Sequence, residues 1–282
     1  MKLQVQGREV YAYTGGKPFD PTLPAIVFLH GALNDHSVWT LLARWCAHHG
    51  HGVLAVDLPG HMRSQGPALE GIEALADWAL ALLDAAGLNR ATLVGHSMGS
   101  LIALEAAARA PDRVDLLAML GTCVPMPVPA ALLSLSQTDP LAAIERVLVH
   151  SFSTLAAKPS YPGPGAWLRG GARGLMRQVL AHQHNALLFH NDFAACDRYR
   201  NGLAAAGRVH CPATLVLAAQ DQMTPPRGAR ELARVLQAQV ETVPGGHFMM
   251  QEQPDAVLAA LRGALARRGT AKSTARAGAP TA

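Results

Sequence analysis

Short, unbroken apolar runs alternate along this chain with stretches of helical spacing. Ala25-Ile-Val-Phe-Leu-His30 is bounded by Pro24 and Gly31 and is rich in branched and aromatic residues, as a strand buried on both faces should be. Residues 37–49 then place Val38, Leu41, Leu42 and Trp45 at helical spacing before Gly50. The rhythm repeats: residues 52–56 read as strand, 72–86 as helix closed by Gly87, 91–94 as strand, 97–110 as helix stopped by Pro111, and 114–120 as strand. Strand and helix in turn specify βαβ units, and therefore a mostly parallel central sheet with helices on both faces.

After Thr122 the pattern changes. Prolines cluster at Pro125, Pro127 and Pro129, and helix-like pieces follow, broken at Tyr161-Pro-Gly-Pro-Gly165 and Gly170-Gly171. The strand signal returns at Ala213-Thr-Leu-Val-Leu-Ala218, followed by a helix over 227–236, a strand over 240–243 and a helix over 254–267. The expected organisation is a core made of residues 1–122 and 207–268, a helical insertion over 123–206, and a tail at 269–282. That tail carries no large apolar side chain and is expected to be disordered. The formal charge of +4 equals the contribution of Arg267, Arg268, Lys272 and Arg276, so the basic balance belongs to the chain end. Without aromatic interleaving or an amphipathic face, those charges point to neither nucleic acid nor a membrane surface.

A chain of 282 residues, half of them hydrophobic, can bury one large core. Its four cysteines, at 46, 123, 196 and 211, lack CxxC spacing and suggest free thiols in a reducing compartment. The first residues show no apolar leader segment, and no run is long enough to span a bilayer. A cytoplasmic setting is the expectation. Oligomeric state is not encoded in any pattern we recognise.

The strongest chemical signal is Gly95-His96-Ser97-Met98-Gly99, placed between the strand at 91–94 and the helix that follows. A turn this sharp strains its central residue and leaves no room for a Cβ on either side. It holds the Ser97 hydroxyl clear of the sheet, above a helix N-terminus that favours negative charge. A serine hydroxyl needs a base within roughly 2.6–3.2 Å. Of thirteen histidines, His247 in Gly245-Gly-His-Phe248 leaves a strand at the edge where Ser97 stands. His96 is read as packed support under the turn. Asp221 follows the strand at 213–218, at the carboxyl end where ligands bind in open α/β sheets. It is the expected carboxylate partner of His247, with Asp197 as the competitor from the insertion. Two backbone donors are required for an anionic intermediate, and the amides of Met98 and Ala32 are expected to supply them. His30, Gly31 and Phe248 complete the expected substrate contacts. No set of side chains has the spacing of a metal site, so neither metal nor cofactor is expected.

With His30-Gly31, Asp57-Leu-Pro-Gly-His61 with Ser64, Gly95-His-Ser-Met-Gly99, Asp221 with Pro225, and Gly246-His247 in order, the chain resembles the α/β-hydrolase superfamily over about residues 24–265, in its esterase and lipase-like branch with a helical cap. Met62 stands where such relatives commonly carry a glycine. The resemblance implies a carboxylic-ester hydrolase acting on a small apolar ester, thioester or lactone. Serine at 97 departs from the aspartate of the dehalogenase and epoxide hydrolase branches. Alternatives on the same fold are a cofactor-free carbon–carbon bond hydrolase and a non-catalytic ligand receptor. Met126, Leu132, Leu133, Phe152 and Trp167 are candidates to line an apolar pocket or to pack the insertion itself.

Overall fold

The computed structural model describes residues 1–153, 167–182 and 187–276, with side chains through 268. Eight strands form one sheet in the order β1-β2-β4-β3-β5-β6-β7-β8. The six strands from β3 onward are parallel: β3 (Ala25–Leu29), β4 (Gly52–Val56), β5 (Ala91–His96), β6 (Val114–Leu120), β7 (Ala213–Ala218) and β8 (Gln239–Val243). β1 (Lys2–Val5) and β2 (Arg8–Tyr13) add an antiparallel hairpin at one edge. Its two-residue turn holds Gln6 and Gly7 at φ +50° and +76°, both left-handed, as a tight hairpin matching the strand twist requires.

The alternation of side chains along each strand divides the core into two layers. Val27, Leu29, Leu93 and Leu117 face α2 (Ile72–Ala85) and α3 (Met98–Arg109), whereas Ile26, Phe28, Val94 and Val216 face α1 (Thr40–His48) and α11 (Pro254–Arg276). Each such aliphatic side chain contributes about 1.5–3 kcal/mol through its removal from water. The parallel strands aim their carboxyl ends at one edge, and all the loops of interest emerge there.

Between β6 and β7 the chain forms α4 (Ala130–Thr138), α5 (Pro140–Ser151), α6 (Leu168–His182), α7 (Leu188–Arg198) and α8 (Gly202–Ala206). Helices α4 to α7 share a third cluster in which Ile144, Leu148, Met176 and Phe189 pack with Leu33 and Phe248 from the core loops, whereas Ala205 and Ala206 of α8 join the layer of α2 and α3. The break expected at 161–165 lies outside the described residues, and the one expected at Gly170-Gly171 does not occur, because α6 runs through both glycines. Residues 226–229 are a 3₁₀ turn before α9 (Arg230–Leu236), and α10 (Met249–Glu252) is a single turn after the His247 loop.

One boundary differs plainly from expectation. Helix α11 reaches Arg276, past the end expected near Arg267 and into the segment expected to be disordered. Ala271, Lys272, Ala275 and Arg276 are good helix formers, and extending an existing helix escapes the cost of nucleation. Residues 277–282 of the expected tail lie outside the described residues. Among the described residues no helix is long and apolar enough to cross a membrane.

Candidate active site

Ser97 is the residue between β5 and α3, with φ +52° and ψ −120°, a conformation that costs a non-glycine residue free energy and persists only when its surroundings enforce it. Its amide donates to the carbonyl of Leu120 at 2.9 Å, tying the turn to β6. The flanking glycines are sterically obligatory. A Cβ at Gly95 would lie 2.1 Å from the Gly99 carbonyl oxygen, and one at Gly99 would lie 2.1 Å from that of Leu29. Met98 opens α3, where an amide has no carbonyl one turn back to accept its hydrogen.

His247 and Ser97 border the same cavity, of about 380 Å³. The Nδ1 of His247 is 2.8 Å from Asp221 Oδ2, with both side chains almost wholly buried. Asp221 follows β7 in an Asx-type turn: Oδ1 accepts from the amides of Met223 and Thr224, each at 2.8 Å, and Oδ2 also accepts from Thr224 Oγ1 at 2.8 Å. Burial alone would push this carboxyl up, but His247 and the Thr224 bonds outweigh it and hold Asp221 below the usual carboxylate range. Because Nδ1 is engaged by a carboxylate, Nε2 is the ring nitrogen left to exchange a proton. Asp197, the competing carboxylate, instead accepts from the amide of Val128 at 2.9 Å, within the insertion.

His96 does underlie the turn. Its Nε2 donates to the His247 carbonyl oxygen at 2.9 Å, and its ring lies 4.7 Å from the His247 ring. Burial and the neighbouring His247 lower it to about 3, so the ring is neutral. Its other face borders the cavity beside Gly31, where a Cβ would come within 3.1 Å of both His96 Nδ1 and the Ser97 Cβ. Gly31 therefore permits the closest approach of the β3 loop to Ser97. Ala32 and Phe248 border the cavity as well.

His30 does not. Expected to touch substrate, it is fully buried, with Nε2 accepting from the Leu58 amide at 3.1 Å and Nδ1 donating to the Gly31 carbonyl at 2.8 Å. Desolvation takes its pKa to about 3, and it serves as a neutral spacer between two loops. Among the apolar candidates, Met126 and Leu132 border the cavity, Phe152 packs on Phe248 at 5.2 Å, Leu133 lies at the margin of the insertion's own cluster, and Trp167 is half exposed on the insertion's surface. Met62 holds φ +39°, so the loop keeps the left-handed geometry that a glycine would provide.

Other polar groups at the site were not singled out from sequence. Thr224 is one, and an aspartate followed three residues later by threonine before proline is the turn signature that would have found it. Glu252 is another: buried, it accepts from the Gly246 amide at 2.9 Å and from Ser153 Oγ at 2.6 Å, pinning the His247 loop to the end of α5. Asp192 and His61 form a third group, 131 residues apart in the chain, and no local pattern announces their pairing.

A family model described as alpha/beta hydrolase fold matches residues 24–254. The pimeloyl-[acyl-carrier protein] methyl ester esterase of Chromobacterium violaceum is 31% identical over 220 residues, covering 74% of this chain and 78% of that protein. The (E)-2-((N-methylformamido)methylene)succinate hydrolase of Acinetobacter baylyi is 32% identical over 97 residues, so that this chain spans only 36% of its length. Among solved structures, the enol-lactonase of Burkholderia xenovorans LB400 superposes with a TM-score of 0.81 over 94% of this chain and 100% of its own, at 23% identity, a likeness of fold.

Proposed function

This chain belongs to the α/β-hydrolase family, and from that premise we propose that it is a serine hydrolase that cleaves a small apolar ester, thioester or lactone through an acyl-enzyme. The observation that carries this reading is the strained Ser97 sharing one cavity with His247, whose Nδ1 lies 2.8 Å from a buried Asp221.

In the proposed cycle, Ser97 Oγ attacks the substrate carbonyl as its proton passes to His247 Nε2. The Asp221 carboxylate stabilises the imidazolium so formed. The carbonyl oxygen becomes an oxyanion between the amides of Ala32 and Met98. Collapse of the tetrahedral intermediate breaks the bond to the alcohol or thiol, which takes the proton from His247 and leaves the acyl group on Ser97. Water, deprotonated by the same imidazole, then releases the acid and restores the serine.

Residues 123–206 act in this reading as a cap on a core of 1–122 and 207–268. Met126, Leu132, Met176 and Phe193 from the insertion meet Phe248 around the cavity, and no acidic side chain borders it among the described residues. An apolar acyl or alcohol group of modest size suits such walls. The four free cysteines agree with a cytoplasmic setting. Mixing the enzyme with p-nitrophenyl esters from acetate to palmitate tests the proposal. We expect a burst of p-nitrophenol near one equivalent, fastest for short and medium chains. Saturable binding without a burst would instead favour a ligand receptor.

A further inference from the structure

We propose that Asp192, reaching from the insertion into the core, is a positioning residue that sets the oxyanion loop, and that it does so as one half of an ion pair with His61. The inference rests on the serine-hydrolase reading for its catalytic consequence, but its geometry stands apart from it.

Asp192 lies in α7, where Phe189 and Phe193 pack edge to face at 4.8 Å and turn the intervening carboxylate inward. Its side chain is 2% exposed. A carboxylate this deep requires partners. It has two: Oδ2 accepts from the backbone amide of Leu33 at 2.8 Å and lies 2.9 Å from His61 Nε2.

The Leu33 bond matters because of what surrounds Ala32. Leu33 adopts φ +51°, unfavourable for a branched residue, so the loop needs external constraint. In the peptide joining Ala32 to Leu33, the N–H is held by Asp192 and the carbonyl accepts from Asn34 Nδ2 at 2.9 Å. In the preceding peptide, the Gly31 carbonyl accepts from His30 Nδ1 at 2.8 Å and from the Asn34 amide at 3.3 Å. A trans peptide directs its N–H opposite to its carbonyl, so anchoring the Gly31 oxygen also fixes the direction of the Ala32 amide. With Leu33's amide consumed, that donor is withdrawn from the oxyanion, which in this reading falls to the amide of its neighbour Ala32. Asp192 thereby withdraws the Leu33 donor and fixes the peptide adjoining the one that carries the Ala32 amide.

The hydrogen bonds also define the state of His61. Nε2 faces a carboxylate and Nδ1 faces the Pro59 carbonyl at 3.1 Å, both acceptors, so both nitrogens must carry hydrogen. Burial disfavours that imidazolium, but Asp192 outweighs it and the pKa is raised. The other titratable groups facing the pair are His30 at the end of β3, Asp57 and His36 from the loops beside it, and Cys196 on α7. His30 is neutral, the Cys196 thiol is pushed up beyond titration at ordinary pH, and Asp57 is held ionised by His36 despite its burial. His61 is therefore the group whose deprotonation would loosen the pair as pH rises.

The test uses the full chain, p-nitrophenyl butyrate as substrate and butylboronic acid as a mimic of the tetrahedral adduct. Asp192→Asn keeps the shape but withdraws the charge. It should lower kcat about 10- to 100-fold with KM within about twofold, weaken the boronate in step, and remove the alkaline fall in kcat assigned to His61. A folded variant with altered melting temperature but unchanged kcat, boronate affinity and pH profile would overturn the proposal. Nitrogen NMR of the wild-type imidazoles decides the point even if the variant does not fold: His61 should be doubly protonated at pH 7, and a neutral His61 contradicts the ion pair. A wild type with no esterase activity would overturn the hydrolase reading instead, while leaving the NMR result to judge the clamp.

Discussion

Asp221 carries four hydrogen bonds on two oxygens, and that saturation decides what its replacement should do. In Asp221→Asn one acceptor oxygen can still serve the Met223 and Thr224 amides, but an amide NH₂ facing Nδ1 favours the wrong imidazole tautomer. Loss of about 10⁴ in kcat is expected with folding retained. Asp197→Asn, which touches the amide of Val128, should leave pre-steady-state acylation within about threefold while lowering stability by about 1 kcal/mol. Stopped-flow acylation on both variants checks the assignment, and the reverse ranking would exchange the two roles. Position and chain order were enough to nominate Ser97, Asp221 and His247, because each follows a strand that periodicity marks. The expected substrate contact of His30 fails for a physical reason: next to a functional loop in sequence, it turns into the interior to join the Leu58 amide, and sequence carries no sign of that direction.

At the scale of elements, the buried strands were legible almost to the residue. β4, β6 and β7 begin and end where the sequence places them, since a strand covered on both faces is apolar almost throughout; the exception in β6, Asp115, is accommodated by bonds from Thr92 Oγ1 at 2.9 Å and Arg268 at 2.6 Å. The β1–β2 hairpin is not legible as a buried run, because one exposed face dilutes its apolar content, although Gln6-Gly7 between alternating residues is its turn signature. The arrangement of the insertion's helices is not legible in sequence, because contacts such as Asp192 with Leu33 span 159 residues. Helix α3 approaches β3 closely where Gly99 meets the backbone of Leu29 and His30. Gly99→Ala places a methyl where only backbone could yield. Urea denaturation should show a loss of about 3 kcal/mol, with activity falling further as Ser97 shifts. Wild-type stability in that variant would mean that the contact is looser than described.

For the whole molecule, buried histidines set the response to pH. His30 and His96 stay neutral when folded until about pH 3, whereas unfolding returns each toward 6.5. Between those limits the unfolded chain binds two protons that the native chain refuses, so stability should fall with acid by up to about 1.4 kcal/mol per group and pH unit. His61 works in the opposite sense: its raised value makes its contribution complete below 6.5 and lost as pH rises through the folded value. Asp221, lowered, contributes above its unfolded value and adds to the acid loss as pH falls through its folded one. Urea midpoints should therefore peak near neutrality and drop clearly by pH 5, and equal midpoints at pH 7 and 5 would refute this assignment. The central claim, that Ser97 is an activated nucleophile in this cavity, is tested most directly by treating the protein with a fluorophosphonate and mapping the product by peptide mass spectrometry. One adduct per chain on Ser97, absent from a folded Ser97→Ala variant, is the result expected; an unmodified Ser97, or an adduct on another residue, would contradict it.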